Sequence, residues 1–189
     1  MSQVPILRRF GEAIDRRYLK KVGATSIIGS KYKLLLVCFH PFAAKKEIQF
    51  PNSITIKPDD PIGEFHLSNI RVTEIAAEPS ERSLEWRLFE MLKADLGALA
   101  TACVAGEIPA DIQAFYGVNV LSAGAKRLGF TLVPIPKGWN RWWLGFWESM
   151  LRKIYYSYKT KKKASIQRTM DPFEIWITRT ELISRYLKV

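Results

Sequence analysis

The sequence predicts an α+β domain, a small mixed and mainly antiparallel sheet packed by several helices. Three observations carry that reading. Short apolar runs bounded by prolines and turn residues recur through the first third of the chain, as strands do. A leucine stripe at helical spacing follows, from Ser83 to Ala105. Helix-sized and strand-sized segments then alternate toward the end. With 189 residues, 48% of them hydrophobic, the chain suffices for one core and is short for two, so residues 1–189 are expected to form a single domain.

The elements follow in order. Ile6, Leu7, Phe10, Ile14, Tyr18 and Leu19 recur at spacings of three and four, which predicts a helix from Pro5 to Lys21 with Gly23 as its stop. Tyr32–His40 is a short apolar run and reads as a buried central strand. Prolines and the pairs Asn52-Ser53 and Asp59-Asp60 break the next stretch, leaving room for short strands at Glu47–Phe50 and Ser53–Lys57. Ile62–Ser68 reads as a further strand. In the long helix Ser83–Ala105, the residues Leu84, Leu88, Leu92, Leu96, Leu99 and Cys103 share a stripe, and Glu81, Glu85 and Glu90 favour its N-terminal half. Strand Ile112–Gly117, helix Leu121–Leu128 capped by Gly129, and strand Phe130–Ile135 come next. A helix from Asn140 to Lys159, a strand at Phe173–Thr178 and a helix at Thr180–Leu187 complete the chain.

Composition excludes several classes. Charged residues at 25% and aromatics at 12% are those of a folded chain. Cys38 and Cys103 sit among apolar neighbours and read as buried thiols in a reducing compartment. No CxxC or Cys/His spacing suggests zinc, and neither metal nor cofactor is expected. The residues after Arg8 and Arg9 do not read as a signal peptide, and no window reaches the ~18 apolar residues of a spanning helix. The expectation is a cytoplasmic protein, with surface attachment at the inner face of the cell membrane open to it.

The net charge of +11 is unevenly distributed. Residues 137–168 hold nine basic side chains against one acid, Glu148, and residues 1–21 hold six against two. The remainder is nearly neutral. Two segments thus carry a field that attracts anionic lipid, nucleic acid or an acidic ligand. On a helical wheel, Trp143, Leu144, Phe146, Trp147, Met150, Leu151, Ile154, Tyr155 and Tyr158 fall on one half. Trp142, Arg152, Lys153, Tyr156 and Lys159 fall on the other, and Lys161, Lys162 and Lys163 close the segment. A core-facing helix with a solvated lysine end explains most of this pattern. It does not explain Trp142 and Tyr156. An interfacial helix does, because Trp and Tyr favour the headgroup boundary and each nearby Lys or Arg gains about 1 kcal/mol at an anionic surface. Stacking aromatics with lysines also suit single-stranded nucleic acid, but no recognised binding motif accompanies them.

In Gly63–Asn69, strand alternation places Glu64, His66 and Ser68 on one face. Glu64 could orient His66, which could then act as a general base or bind a ligand. A triad would further require Ser68 to reach the imidazole. The plainer reading is the wet face of a half-buried strand, with Asn69 ending it in a turn. His40 before Pro41 reads as a strand end.

The order of segments resembles the YkoP-like family of uncharacterised bacterial proteins. The resemblance rests on Ile14-Asp15-Arg16-Arg17-Tyr18, on Asp60-Pro61-Ile62-Gly63-Glu64-Phe65-His66-Leu67-Ser68-Asn69, on Phe115-Tyr116-Gly117-Val118-Asn119 with Arg127-Leu128-Gly129-Phe130, and on Glu174-Ile175-Trp176-Ile177-Thr178 with Leu182 and Tyr186. The second piece looks like the family's G-D-x-x-x-E-L-H-L-x-N signature. Such domains also occur fused to polysaccharide deacetylases, so the resemblance implies a place in cell-envelope glycan metabolism. It also marks Glu64, His66 and Asn69 as candidate catalytic or ligand-binding residues, without naming a reaction. Deacetylase activity itself is not expected of this chain. The leading expectation is an accessory factor of envelope glycan metabolism, held peripherally on anionic membrane lipid or a lipid-linked glycan. An enzyme or small-ligand binder using Glu64, His66 and Asn69 is the alternative, and nucleic-acid binding through residues 137–168 is the second.

Overall fold

A computed structural model describes residues 16–43, 46–119, 122–135 and 173–187. The expected helix at Asn140–Lys159 and most of the first helix lie outside these residues. The fold is the α+β architecture the sequence predicts. Its strands are β1 (Thr25–Ser26), β2 (Leu35–Pro41), β3 (Ile48–Gln49), β4 (Thr55–Ile56), β5 (Pro61–Leu67), β6 (Ala114–Asn119), β7 (Thr131–Pro134) and β8 (Phe173–Thr178). The described helices are α1 (residues 16–22), α2 (Asn69–Ala77), α3 (Leu84–Val104), α4 (Ser122–Arg127) and α5 (Arg179–Tyr186).

Six strands form one sheet in the order β1-β2-β5-β6-β8-β7, and β3 and β4 form a separate hairpin. Every pairing in the large sheet is antiparallel except β5 with β6. β8, the last strand in sequence, inserts between β6 and β7, so the two strands joined through α4 are not neighbours.

The sheet has two differently clothed faces because strand side chains alternate. Leu35, Val37, Phe65, Phe115, Ile175 and Ile177 point to one face and pack with Leu96, Leu99, Ala100 and Cys103 of α3 and Leu182 of α5. Each fully buried leucine there contributes about 1.5–3 kcal/mol. The opposite face carries Cys38, His40, Ile62, Glu64, His66, Ala114, Tyr116, Glu174 and Trp176. The β3–β4 hairpin covers one end of it, where Phe42, Phe50 and Ile56 pack on Ile62, Ala114 and Trp176.

Two helix starts follow from capping. Ser83 accepts the N–H of Trp86 at the head of α3. Thr178 and Glu181 form a reciprocal capping box at the head of α5. The sequence reading missed α2 and the two-residue strand β1. Ser68 and Asn69 read there as strand end and turn, whereas Ser68 is the N-cap of a nine-residue helix and accepts the N–H of Arg71. Val72 and Ile75 of that helix pack on Leu34 and Leu88, which supplies the burial that a short helix needs. Among the described residues, no helix is long and apolar enough to cross a membrane.

Candidate functional site

β2 and β5 pair so that Cys38 lies directly opposite Glu64 and Leu36 opposite His66. His40 is one diagonal step from Glu64, within reach of a long side chain. The Glu64 carboxylate consequently sits between two imidazoles. Its Oε2 is 2.9 Å from His40 Nε2 and its Oε1 is 3.8 Å from His66 Nε2. Cys38 Sγ lies 3.4 Å from His66 Nε2. β6 brings Tyr116 alongside Glu64 in parallel register, and the Glu64 charge acts on the Tyr116 phenol. Tyr116 in turn stacks on Trp176 with ring centroids 4.8 Å apart, and the Trp176 indole N–H donates to Glu174. From α1, Tyr18 meets the His66 ring edge-on at 5.6 Å.

The expectation of a wet strand face is not met. The side chains of Glu64 and His66 are only 20% and 11% exposed, and His40 at 32% is the member that reaches solvent. This partial burial sets the chemistry. Desolvation holds His66 below the ordinary histidine range against the pull of Glu64, and His40 adds to the lowering. Burial first, and Glu64 second, push the Cys38 thiol up to about 11. Burial and the Glu64 charge likewise raise the Tyr18 and Tyr116 phenols. A thiol so placed stays protonated and is a poor nucleophile by itself. The requirement that Ser68 reach the imidazole also fails, because its hydroxyl caps α2. A serine or free-thiol acyl-transfer centre is therefore not what these residues make. They make a carboxylate buttressed by two imidazoles and a phenol, a unit for proton transfer or for holding a ligand.

Of the residues singled out from sequence, Glu64 and His66 come together. Asn69 opens α2, beyond the end of the strand, and its backbone carbonyl accepts the Thr73 hydroxyl. The candidates for anionic-surface binding, Trp142, Arg152, Lys153, Tyr156, Lys159, Lys161, Lys162 and Lys163, lie outside the described residues. The sequence reading missed His40, Cys38 and Tyr116. A usable signal existed: Cys38 and His40 alternate on one strand as Glu64 and His66 do on another, and antiparallel pairing sets Cys38 opposite Glu64 with His40 and His66 one diagonal step to either side.

The family model described as the YkoP domain matches residues 6–186. No curated protein and no solved structure matches the chain.

Proposed function

The chain belongs to the YkoP domain family over nearly its whole length, and within that family we propose that it binds a small hydroxylated ligand of glycan type and exchanges a proton with it through His40. The observation that carries this reading is the 2.9 Å approach of His40 Nε2 to Glu64, at the point where a half-buried carboxylate meets solvent. Glu64 holds the His40 ring in place. Tyr18, 47% exposed beside His66, offers the ring face that sugars stack on. The envelope-glycan expectation implied by the family resemblance names the same ligand class. The test is a thermal-shift titration of the full chain with N-acetylglucosamine oligomers. Saturable stabilisation that His40→Asn and Glu64→Gln both abolish is expected. Stabilisation that survives both substitutions would place the ligand elsewhere.

A second reading rests on charge. The excess of nine basic residues over one acid in residues 137–168 supports attachment to an anionic membrane surface at the inner face of the cell membrane. It is the reading that would keep such a site near lipid-linked glycans. Wild-type protein should float with anionic vesicles at low salt, and Lys161/Lys162/Lys163→Ala should not. Equal flotation of the two would remove its basis. A salt-dependent gel shift with single-stranded RNA would instead favour nucleic acid.

A further inference from the structure

Cys38, His40 and Glu64 offer one ligand atom each, and the three atoms lie within 4.8 Å of one another. Sulfur, imidazole nitrogen and carboxylate oxygen are the donor types that zinc accepts, at bond lengths of about 2.0–2.3 Å, which place tetrahedral ligands about 3.3–3.8 Å apart. Side-chain shifts of about an ångström separate the present arrangement from that polyhedron. His66 Nε2 stands at tetrahedral-edge distance already, 3.4 Å from Cys38 Sγ and 3.8 Å from Glu64 Oε1.

The hydrogen bonds of His40 supply an independent argument. Its Nδ1 lies 2.8 Å from the Pro41 carbonyl oxygen. A carbonyl can only accept, so Nδ1 carries a hydrogen. Nε2 faces the Glu64 oxygen at 2.9 Å. Two oxygens thus flank one ring, the Pro41 carbonyl at Nδ1 and the Glu64 carboxylate at Nε2. Histidines that bind metals present this arrangement, with the remote N–H given to a backbone carbonyl so that the other nitrogen directs its lone pair inward. Tyr116 stands beside the carboxylate on the neighbouring strand, placed to orient it.

We propose that Cys38, His40 and Glu64 form a binding site for a divalent transition metal of the zinc class, with a further position open to His66 or to a ligand. The proposal rests on the reading of the Glu64 cluster as the functional site and specifies what charge the cluster holds. Binding replaces the Cys38 S–H bond by an S–metal bond and releases the proton to solvent. Three protein ligands with an open position are the arrangement of catalytic rather than structural zinc, and the open position would lie where His40 meets solvent.

The experiment is a Co2+ titration of the full chain, stripped with chelator and kept reduced, followed by elemental analysis of Zn2+ after gel filtration. One ion per chain is expected, with the near-ultraviolet absorption of a thiolate–cobalt bond, displaced by Zn2+. Cys38→Ser, or Cys38→Ala should the serine variant fold poorly, must lose that absorption. Cys103→Ala must keep it, because Cys103 lies in the core on the opposite face of the sheet. His40→Asn and Glu64→Gln should each weaken binding ten-fold or more. Failure of the wild type to bind Co2+, or an absorption retained without Cys38, overturns the metal site. The proton-transfer reading would then stand or fall on the oligosaccharide titration alone, which needs no metal.

Discussion

Asp95 accepts the backbone N–H of Leu35 at 2.9 Å, joining the middle of α3 to the first residue of β2. The same carboxylate accepts the N–H of Leu34 at 2.8 Å and the Ser30 hydroxyl at 2.6 Å, and it is fully buried. Three donors converge on one charge, so removing it leaves all three without a partner in the core. Asp95→Ala should cost about 3 kcal/mol or more. Asp95→Asn should cost about 1 kcal/mol, since an amide oxygen can serve both N–H groups while its NH2 donates to Ser30. Urea unfolding checks the ranking. Equal costs for the two variants would mean that the charge, and not the hydrogen-bond pattern, holds β2 to α3.

Gly63 precedes Glu64, and its place in β5 is set by a close approach. A Cβ there would lie 2.3 Å from Phe115 Cδ1, and Phe115 is fully buried. The ring cannot retreat, because it stacks on Phe65. Gly63→Ala should therefore destabilise by about 1–3 kcal/mol through overpacking. Pairing it with Phe115→Leu should recover part of that loss. A double variant no more stable than the sum of its single changes would refute the clash as the cause.

Tyr186 sets a pH limit. Its hydroxyl donates to the Leu128 carbonyl at 2.8 Å, and burial pushes its phenol up to about 12, against an opposing effect of Arg185. The unfolded phenol ionises near 10. The raised folded value therefore gives stability that is fully present below pH 10 and is lost as pH rises from 10 to 12. The side chain is only partly buried, so the effect is about 1 kcal/mol after solvent screening. Tyr186→Phe should be less stable than wild type near neutrality, and the gap should close between pH 10 and 12. Urea midpoints across that range measure it. A constant gap would show that the phenol titrates alike in both states.

The fold was legible wherever periodicity and burial agree. The leucine stripe gives α3, and the apolar run Phe173–Thr178 gives β8 to the residue. Where one hydroxyl decides, pattern fails. Ser68-Asn69 suits a turn as well as a cap, and only the packing of Val72 and Ile75 against Leu34 makes it a helix start. The candidate site was half legible. Glu64 and His66 share one strand and so show themselves in a single segment. His40 and Cys38 join them through the pairing of β2 with β5, 24 residues apart at His40 and Glu64, and nothing local to Cys38 distinguishes a ligand from an ordinary buried thiol.

Tyr116 separates orientation from packing at this site. Its ring stacks on Trp176 at 4.8 Å and meets the His40 ring edge-on at 6.1 Å, while Glu64 lies beside it on the neighbouring strand. Tyr116→Phe keeps the ring and removes the hydroxyl. Stability should change by about 1 kcal/mol or less, because Glu64 retains its contact with His40. Co2+ affinity should fall ten-fold to a hundred-fold, the usual effect of losing a partner that orients a metal ligand. Tyr116→Leu should lose the same affinity and, in addition, about 1 kcal/mol of aromatic stacking. Competition with a chromophoric chelator reads the first quantity and urea unfolding the second. A phenylalanine variant that binds as tightly as wild type would show that the hydroxyl does not orient Glu64. A leucine variant as stable as the phenylalanine one would show that the Trp176 stack contributes nothing.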